Sequence, residues 1–239
     1  NLSRCFLELG GNDPLIIFDD VDLDTAVTEA INGRIVHAGQ ACCSSKRFIV
    51  QENIYDEFAG RLAERLKGMK IGDPLDQGSR IGPLIDERAA QRVEEIVDRT
   101  VKAGAYCLCG GRRFDGNFFE PTVLTGVTPA MDIAQNLEVF GPVFPLIKFK
   151  TEEQAVAIAD NCTYGLSSGV ISGEIQRAIR VARQLDAGNC TINGTGLYRT
   201  HDMPFGGHRK SGLGTEGLYA TLDEFTKTKT YVWKGAAIR

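Results

Sequence analysis

No apolar run in this 239-residue sequence approaches the roughly 20 residues needed to cross a bilayer, so no membrane-spanning helix is expected. The opening stretch NLSRCFLELGG has neither a charged n-region nor a continuous apolar h-region, and no secretory leader is read there. Basic blocks are missing too. Lys and Arg are interspersed with acids to a formal charge of -4, which leaves nothing to neutralise a run of phosphates, and nucleic acid is not expected as a partner. The seven cysteines (Cys5, Cys42, Cys43, Cys107, Cys109, Cys162, Cys190) are an odd count without the paired spacing of a zinc site. Free thiols in a reducing compartment fit that pattern, and a cytoplasmic location with no metal is the expectation. Histidine is scarce: only His37, His201 and His208 are available to a chemistry that needs imidazole. No internal repeat, low-complexity tract or linker rich in Pro, Gly or Ser marks a domain boundary.

What is present is a hydrophobic content of 43%, enough at this length to bury a substantial core. Short β-rich runs alternate with amphipathic helical patterns, which predicts an α/β fold with a largely parallel sheet flanked by helices. Strands are expected at Pro14 to Phe18, Arg47 to Gln51, Pro121 to Thr125, Phe144 to Phe149, Gly169 to Ser172 and Cys190 to Asn193, with another near Tyr106. Between them, helical spacing marks Leu23 to Ile35, a stripe of Ile54, Phe58, Leu62 and Leu66, and a long helix from Ile85 to Ala105 with Val93, Val97 and Val101 inward. Shorter helices are expected over Glu152 to Asp160 and Glu174 to Leu185. FTKTKTYVWKG, Phe225 to Gly235, alternates polar and apolar residues like an exposed antiparallel strand in want of a partner. LELGG opens as though in the middle of a strand, so the sequence reads as part of something longer.

Four segments offer chemistry. GQACCSSKR puts Cys42 and Cys43 in a turn between a helix and a strand, where a thiol meets solvent. A thiol with an ordinary pKa near 8.5 needs a positive field to ionise, and Lys46, Arg47 and His37 are the nearby sources; the plainer reading is a small buried hydrophobe. Glu8, flanked by Leu7, Leu9, Gly10 and Gly11, reads either as a buried carboxylate of raised pKa or as a solvated acid. EVFGPV sets Glu138 and Phe140 two apart, so both face one side, a carboxylate for a ribose diol beside a ring for its heterocycle; the alternative is an ordinary strand end. PFGGHRKSGLG is glycine-rich and basic, either a loop that cradles phosphate or a tight connection.

In this order, LELGG, GQAC, EVFGPV and PFGG-x-R-x-SG-x-G resemble the aldehyde dehydrogenase superfamily over essentially the whole chain, supported by IGDPLD, IGPLID and NCTYGLSSGV. The resemblance implies an α/β catalytic domain over 11–222, the end of a cofactor-binding domain over 1–10, and an oligomerisation strand and tail over 223–239. It implies NAD or NADP as cofactor, an aldehyde as substrate, and a homodimer or homotetramer. Cys42 matches the family's nucleophile and Glu8 its general base. Glu138, Phe140 and Gly10 match positions on the cofactor, while Asn193, Leu197, Arg199 and Phe205 fall in segments that line the substrate pocket. Arg199 is read either as a partner for a substrate carboxylate, which would favour semialdehydes, or as a surface charge. On this reading the family's dinucleotide-binding residues precede Asn1, and the chain alone is expected to hold cofactor poorly and turn over little aldehyde. Two rivals stay open: a histidine-dependent thiol hydrolase or transferase, and a non-catalytic assembly module.

Overall fold

The structure is a computed structural model and describes residues 2–235. In chain order its elements are β1 (Leu7–Glu8), β2 (Asp13–Ile17), α1 (Leu23–Ile35), β3 (Ser45–Gln51), α2 (Glu52–Lys67), α3 (Glu87–Lys102), β4 (Tyr106–Cys109), β5 (Arg113–Phe114), β6 (Phe118–Phe119) and β7 (Thr122–Val127). There follow β8 (Val143–Phe149), α4 (Glu152–Asp160), β9 (Tyr164–Gly165), β10 (Gly169–Ile171), α5 (Ile175–Ala182), β11 (Thr191–Ile192), β12 (His208–Arg209), β13 (Gly212–Leu213) and α6 (Leu218–Glu224).

A seven-stranded sheet in the order β11-β10-β2-β3-β8-β7-β4 forms the centre. Every neighbouring pair in it is parallel except β4 with β7. The expected α/β architecture is therefore what the chain adopts. Strands covered on both faces need apolar side chains throughout, and β2 and β3 meet that demand: Leu15, Ile16, Ile17, Phe48, Ile49 and Val50 have no exposed surface. Helix starts are set by side chains that accept from exposed N–H groups, Asp22 from Thr25 N at 2.8 Å and Asp86 from Ala89 N at 2.6 Å.

That second cap moves one boundary. The long helix begins at Glu87, not Ile85, because Asp86 takes the capping position and Ile85 is left 83% exposed. Its inward stripe also turns: Val101 is exposed, while Thr100 is buried and donates its hydroxyl to Ile96 O at 2.8 Å. Phe225 to Gly235 carries no strand pairing among the described residues. No described residue pairs with it, and a lone extended segment leaves its backbone groups to water. Among the described residues no helix is long and apolar enough to cross a membrane.

Parallel order has a consequence for chemistry. Because β2, β3, β8 and β10 run the same way, the segments that precede them meet along one edge of the sheet. These segments hold Gly10 and Gly11, Cys42, Glu138 to Phe140, and Ser167. Open α/β sheets commonly bind ligands beyond the carboxyl ends of their strands; here the candidate residues collect at the amino ends.

Candidate active site

The turn that carries Cys42 is built from the end of α1. Val36–Gly39 forms a short 3-10 turn in which His37, Ala38 and Gly39 all have positive φ, at 49, 55 and 80°. Three left-handed residues reverse the chain within one turn. At Gly39 there is no room for a side chain, since a Cβ would overlap the Gly141 carbonyl. Arg34, fully buried in α1, fastens the reversal: Nη1 donates to Ser44 Oγ at 2.7 Å, Nη2 to Val139 O at 2.7 Å and Nε to Val143 O at 2.9 Å. One side chain thus ties the thiol turn to the EVFGPV segment. On the other flank Gln40 Oε1 accepts from Ile85 N at 2.8 Å.

Lys46 is the second buried cation, and it lies directly beneath Cys42. Its Nζ donates to Cys42 O at 2.6 Å and Ala41 O at 2.9 Å, and pairs with Glu138 Oε1 at 3.2 Å. The Cys42 thiol is pushed down to about 6, first by a hydrogen bond from the Cys43 thiol, then by the Lys46 charge and the N–H groups of Cys43 and Cys42, against the opposing effect of burial. Cys43 moves up, since it donates to Cys42 and cannot easily carry a second negative charge beside it. Arg47 contributes nothing comparable. Successive side chains of β3 point to opposite faces, so Arg47 turns away and donates to Asn12 O at 2.6 Å, Ile158 O at 2.9 Å and Ala159 O at 2.7 Å. His37 is exposed, and no histidine is among the leading influences on Cys42.

Glu8 departs from the buried carboxylate considered from sequence: it is exposed, on β1, which pairs with β13 through Glu8 opposite Gly212. Its pKa is still raised, by partial burial first, then by the charges of Glu216 and Cys42, with Arg199 opposing. The field of Cys42 therefore reaches Glu8 although 34 residues separate them in the chain. Glu8 also borders a cavity of about 250 Å³ with Phe6, Leu213, Thr215 and Glu216, and Cys42 is not in its lining.

Glu138 lies folded against the glycine pair. Oε1 accepts from Gly11 N at 2.9 Å, and Oε2 rests on Gly10, where any Cβ would displace it. Oε2 has no hydrogen-bond partner among the described residues. With Val139 buried, Glu138 and Phe140 project to one side, and the Phe140 ring is 41% exposed with Lys46 Nζ 5.4 Å from its centroid. A carboxylate with one oxygen unpaired, near an exposed ring, has the chemistry to take a diol and pack on a flat heterocycle. Asp13, at the start of β2, was not singled out from sequence; burial pushes it up to about 8, against Lys46, the Ser167 N–H and Arg47.

The remaining expected site residues divide. Gly196 packs on Cys43 O, which brings the loop holding Leu197 beside the thiol turn. Asn193, at φ 54°, accepts from Ser172 N through Oδ1 at 3.0 Å, closing the end of β11 on β10. Arg199 Nη1 pairs with Glu216 Oε1 at 2.9 Å and its guanidinium covers the buried Phe205 ring at 4.2 Å. PFGGHRKSGLG is a connection and not a phosphate cradle. His208 and Arg209 are both bound to Asp186, at 2.8 and 2.6 Å, and the segment supplies β12 and β13 to short antiparallel pairs.

A largely parallel sheet with an acidified thiol and two carboxylates along its amino edge defines the class, an α/β protein organised around a cysteine. The chain belongs to the aldehyde dehydrogenase family, whose model matches residues 1–231. It is 43% identical over 231 residues to the NADP(+) succinate-semialdehyde dehydrogenase of Deinococcus radiodurans, covering 96% of this chain and 48% of that protein. The crystal structure of lactaldehyde dehydrogenase from Escherichia coli superposes with a TM-score of 0.91 at 35% identity, over 96% of this chain and 48% of that one. Betaine aldehyde dehydrogenase from Staphylococcus aureus in complex with NAD+ gives 0.90 at 39% identity, over 94% and 46%. The chain spans about half the length of the curated relatives it matches.

Proposed function

We propose that this chain carries the thiol-bearing part of an enzyme that oxidises an aldehyde to a carboxylic acid with NAD or NADP. The observation that supports it most is the seating of Cys42 on buried Lys46, which also holds Glu138, with the thiol acidified there and Glu8 made more basic partly by the charge of Cys42. Cys42 thiolate adds to the aldehyde carbonyl, with its own backbone N–H directed at the new oxyanion. Glu138 and Phe140 hold the ribose and ring of the nicotinamide half, with Gly10 giving Glu138 the room it needs. NAD or NADP, when bound, supplies the hydride acceptor. The acyl group is left on Cys42 as a thioester. Glu8 then removes a proton from water that attacks the thioester, releasing the acid and restoring the thiol. Segments 1–10 and 223–239 serve the cofactor-binding and oligomerisation parts of a homodimer or homotetramer.

The thiol hydrolase reading is weaker, because His208 is committed to Asp186 and none of His37, His201 and His208 is among the leading influences on Cys42. The test compares two variants in the complete protein. Cys42→Ala removes acylation and any burst of reduced nicotinamide, whereas Glu8→Gln gives a burst and then stalls. Equal bursts in both end the assignment. Arg199 is committed to Glu216 and Phe205, which supports the surface-charge reading over a substrate carboxylate. Arg199→Ala is expected to leave the ratio of kcat/KM for aldehydes with and without a distal carboxylate unchanged; a selective loss of the acidic ones restores the semialdehyde reading.

A further inference from the structure

Lys46 is buried to the last atom of its side chain, and no carboxylate other than Glu138 lies within ion-pair distance of it among the described residues. Its other contacts are carbonyls: Cys42 O at 2.6 Å, Ala41 O at 2.9 Å and Ser44 O at 3.4 Å. An aliphatic side chain would fill this position at less desolvation cost, since burying an ammonium costs several kcal/mol. The charge therefore needs a use. Glu138 reaches Lys46 through the same Oε1 that takes the Gly11 N–H, while Oε2 rests on Gly10 with no hydrogen-bond partner among the described residues.

We propose that Lys46 is a positioning residue that joins two halves of the chemistry: one ammonium fixes the carbonyls of the Cys42 turn and holds Glu138, so the place and charge of Glu138 set how much positive field the Cys42 sulfur feels. The inference rests on the roles of Cys42 and Glu138 proposed above. While the carboxylate sits on Lys46, it neutralises part of that field. Loss of the Glu138 charge from Lys46 would leave that ammonium less compensated and the thiol more acidic. Other charges surround the pair. Asp13 and Arg34 both act on Lys46, in opposite senses, and the Cys43 thiol donates to Cys42. Arg47 acts on Asp13 from the other face of β3. None of these is linked to Glu138 by a direct contact as Lys46 is.

The experiment measures iodoacetamide alkylation of Cys42 by peptide mass spectrometry between pH 5 and 9, in the absence of cofactor and aldehyde. The unmodified protein is expected to show a midpoint near the value of about 6 that the surroundings impose. In Lys46→Met the midpoint rises by about one unit, the usual effect of one opposite charge nearby, with roughly tenfold less thiolate near pH 5 and roughly twofold less at pH 7. Lys46→Arg restores most of it. Glu138→Gln shifts the midpoint down and speeds alkylation below it. A Lys46→Met protein with intact circular dichroism and an unchanged midpoint overturns the proposal. Should Lys46→Met not fold, Glu138→Gln decides: a lower midpoint supports the link, and an unchanged or higher one overturns it. A parent protein whose Cys42 reacts no faster at pH 7 than exposed Cys5 removes the nucleophile assignment itself, and this inference with it.

Discussion

Replacing Arg34 by methionine tests whether the site is held together in the way the hydrogen bonds indicate. The guanidinium has no carboxylate in ion-pair contact among the described residues, and its donors go to Val139 O, Val143 O and Ser44 Oγ, all buried. Methionine fills much of the volume but satisfies none of these acceptors. Each unpaired buried group costs about 1–3 kcal/mol, which for three gives roughly 3–9 kcal/mol. Relief of the desolvation of a buried cation offsets a few kcal/mol of that. The net expectation is a loss of about 2–5 kcal/mol, read from urea denaturation followed by circular dichroism. Because Ser44 lies two residues from Cys42 and Val139 lies next to Glu138, alkylation of Cys42 should also slow before global unfolding. Lysine at this position reaches fewer acceptors and should recover only part of the loss. A methionine variant within 1 kcal/mol of the parent, with unaltered Cys42 reactivity, refutes the view that this side chain is what fastens the thiol turn to the segment bearing Glu138.

Three further outcomes follow from other positions. Asp13 is raised to about 8 in the folded chain, so between its ordinary value near 3.8 and that pH the folded state binds more protons than the unfolded one; stability falls as pH rises through this window, and it is flat outside it. Asp13→Asn should therefore gain in Tm over the parent from pH 5 to pH 8.5, and a gain that shrinks across that range contradicts the assignment. Gly39→Ala combines a positive φ with an overlap on the Gly141 carbonyl and should cost roughly 2–4 kcal/mol; a neutral change in thermal melting means the close approach is not real. Asn193→Ala should cost about 1–2 kcal/mol through the lost bond to Ser172 N and the left-handed backbone, without altering Cys42 alkylation. A large change in alkylation with unchanged stability would mean that Asn193 serves the thiol site and not the sheet.

The parts of this protein legible in its sequence were those in which one local pattern has one physical outcome. Unbroken apolar runs such as LIIF and FIV can be buried only between two covered faces, and the strands formed where those runs lie. The helix that starts at Glu87 was misplaced by two residues because Asp86 outcompeted the apolar Ile85 for the start, a contest settled by one hydrogen bond. The site was harder. Cys42 and Glu138 stand out as residue types in their segments, but nothing local in SSKRFIV tells which cation serves the thiol. Alternation along β3 decides that, sending Lys46 to the Cys42 carbonyl and Arg47 to the carbonyls of α4. Arg34 had a visible signal: it falls four residues after Ala30 on the buried face of α1, where an arginine must be repaid by acceptors from elsewhere in the chain. The same logic applies to Phe225 to Gly235. Alternation announces a strand only when another edge is present to take its hydrogen bonds, and none of the described residues provides that edge. A pattern that names a partner outside its own segment therefore has to be read as a request, and the structure shows that the request of Arg34 was met within this chain while that of FTKTKTYVWKG was not.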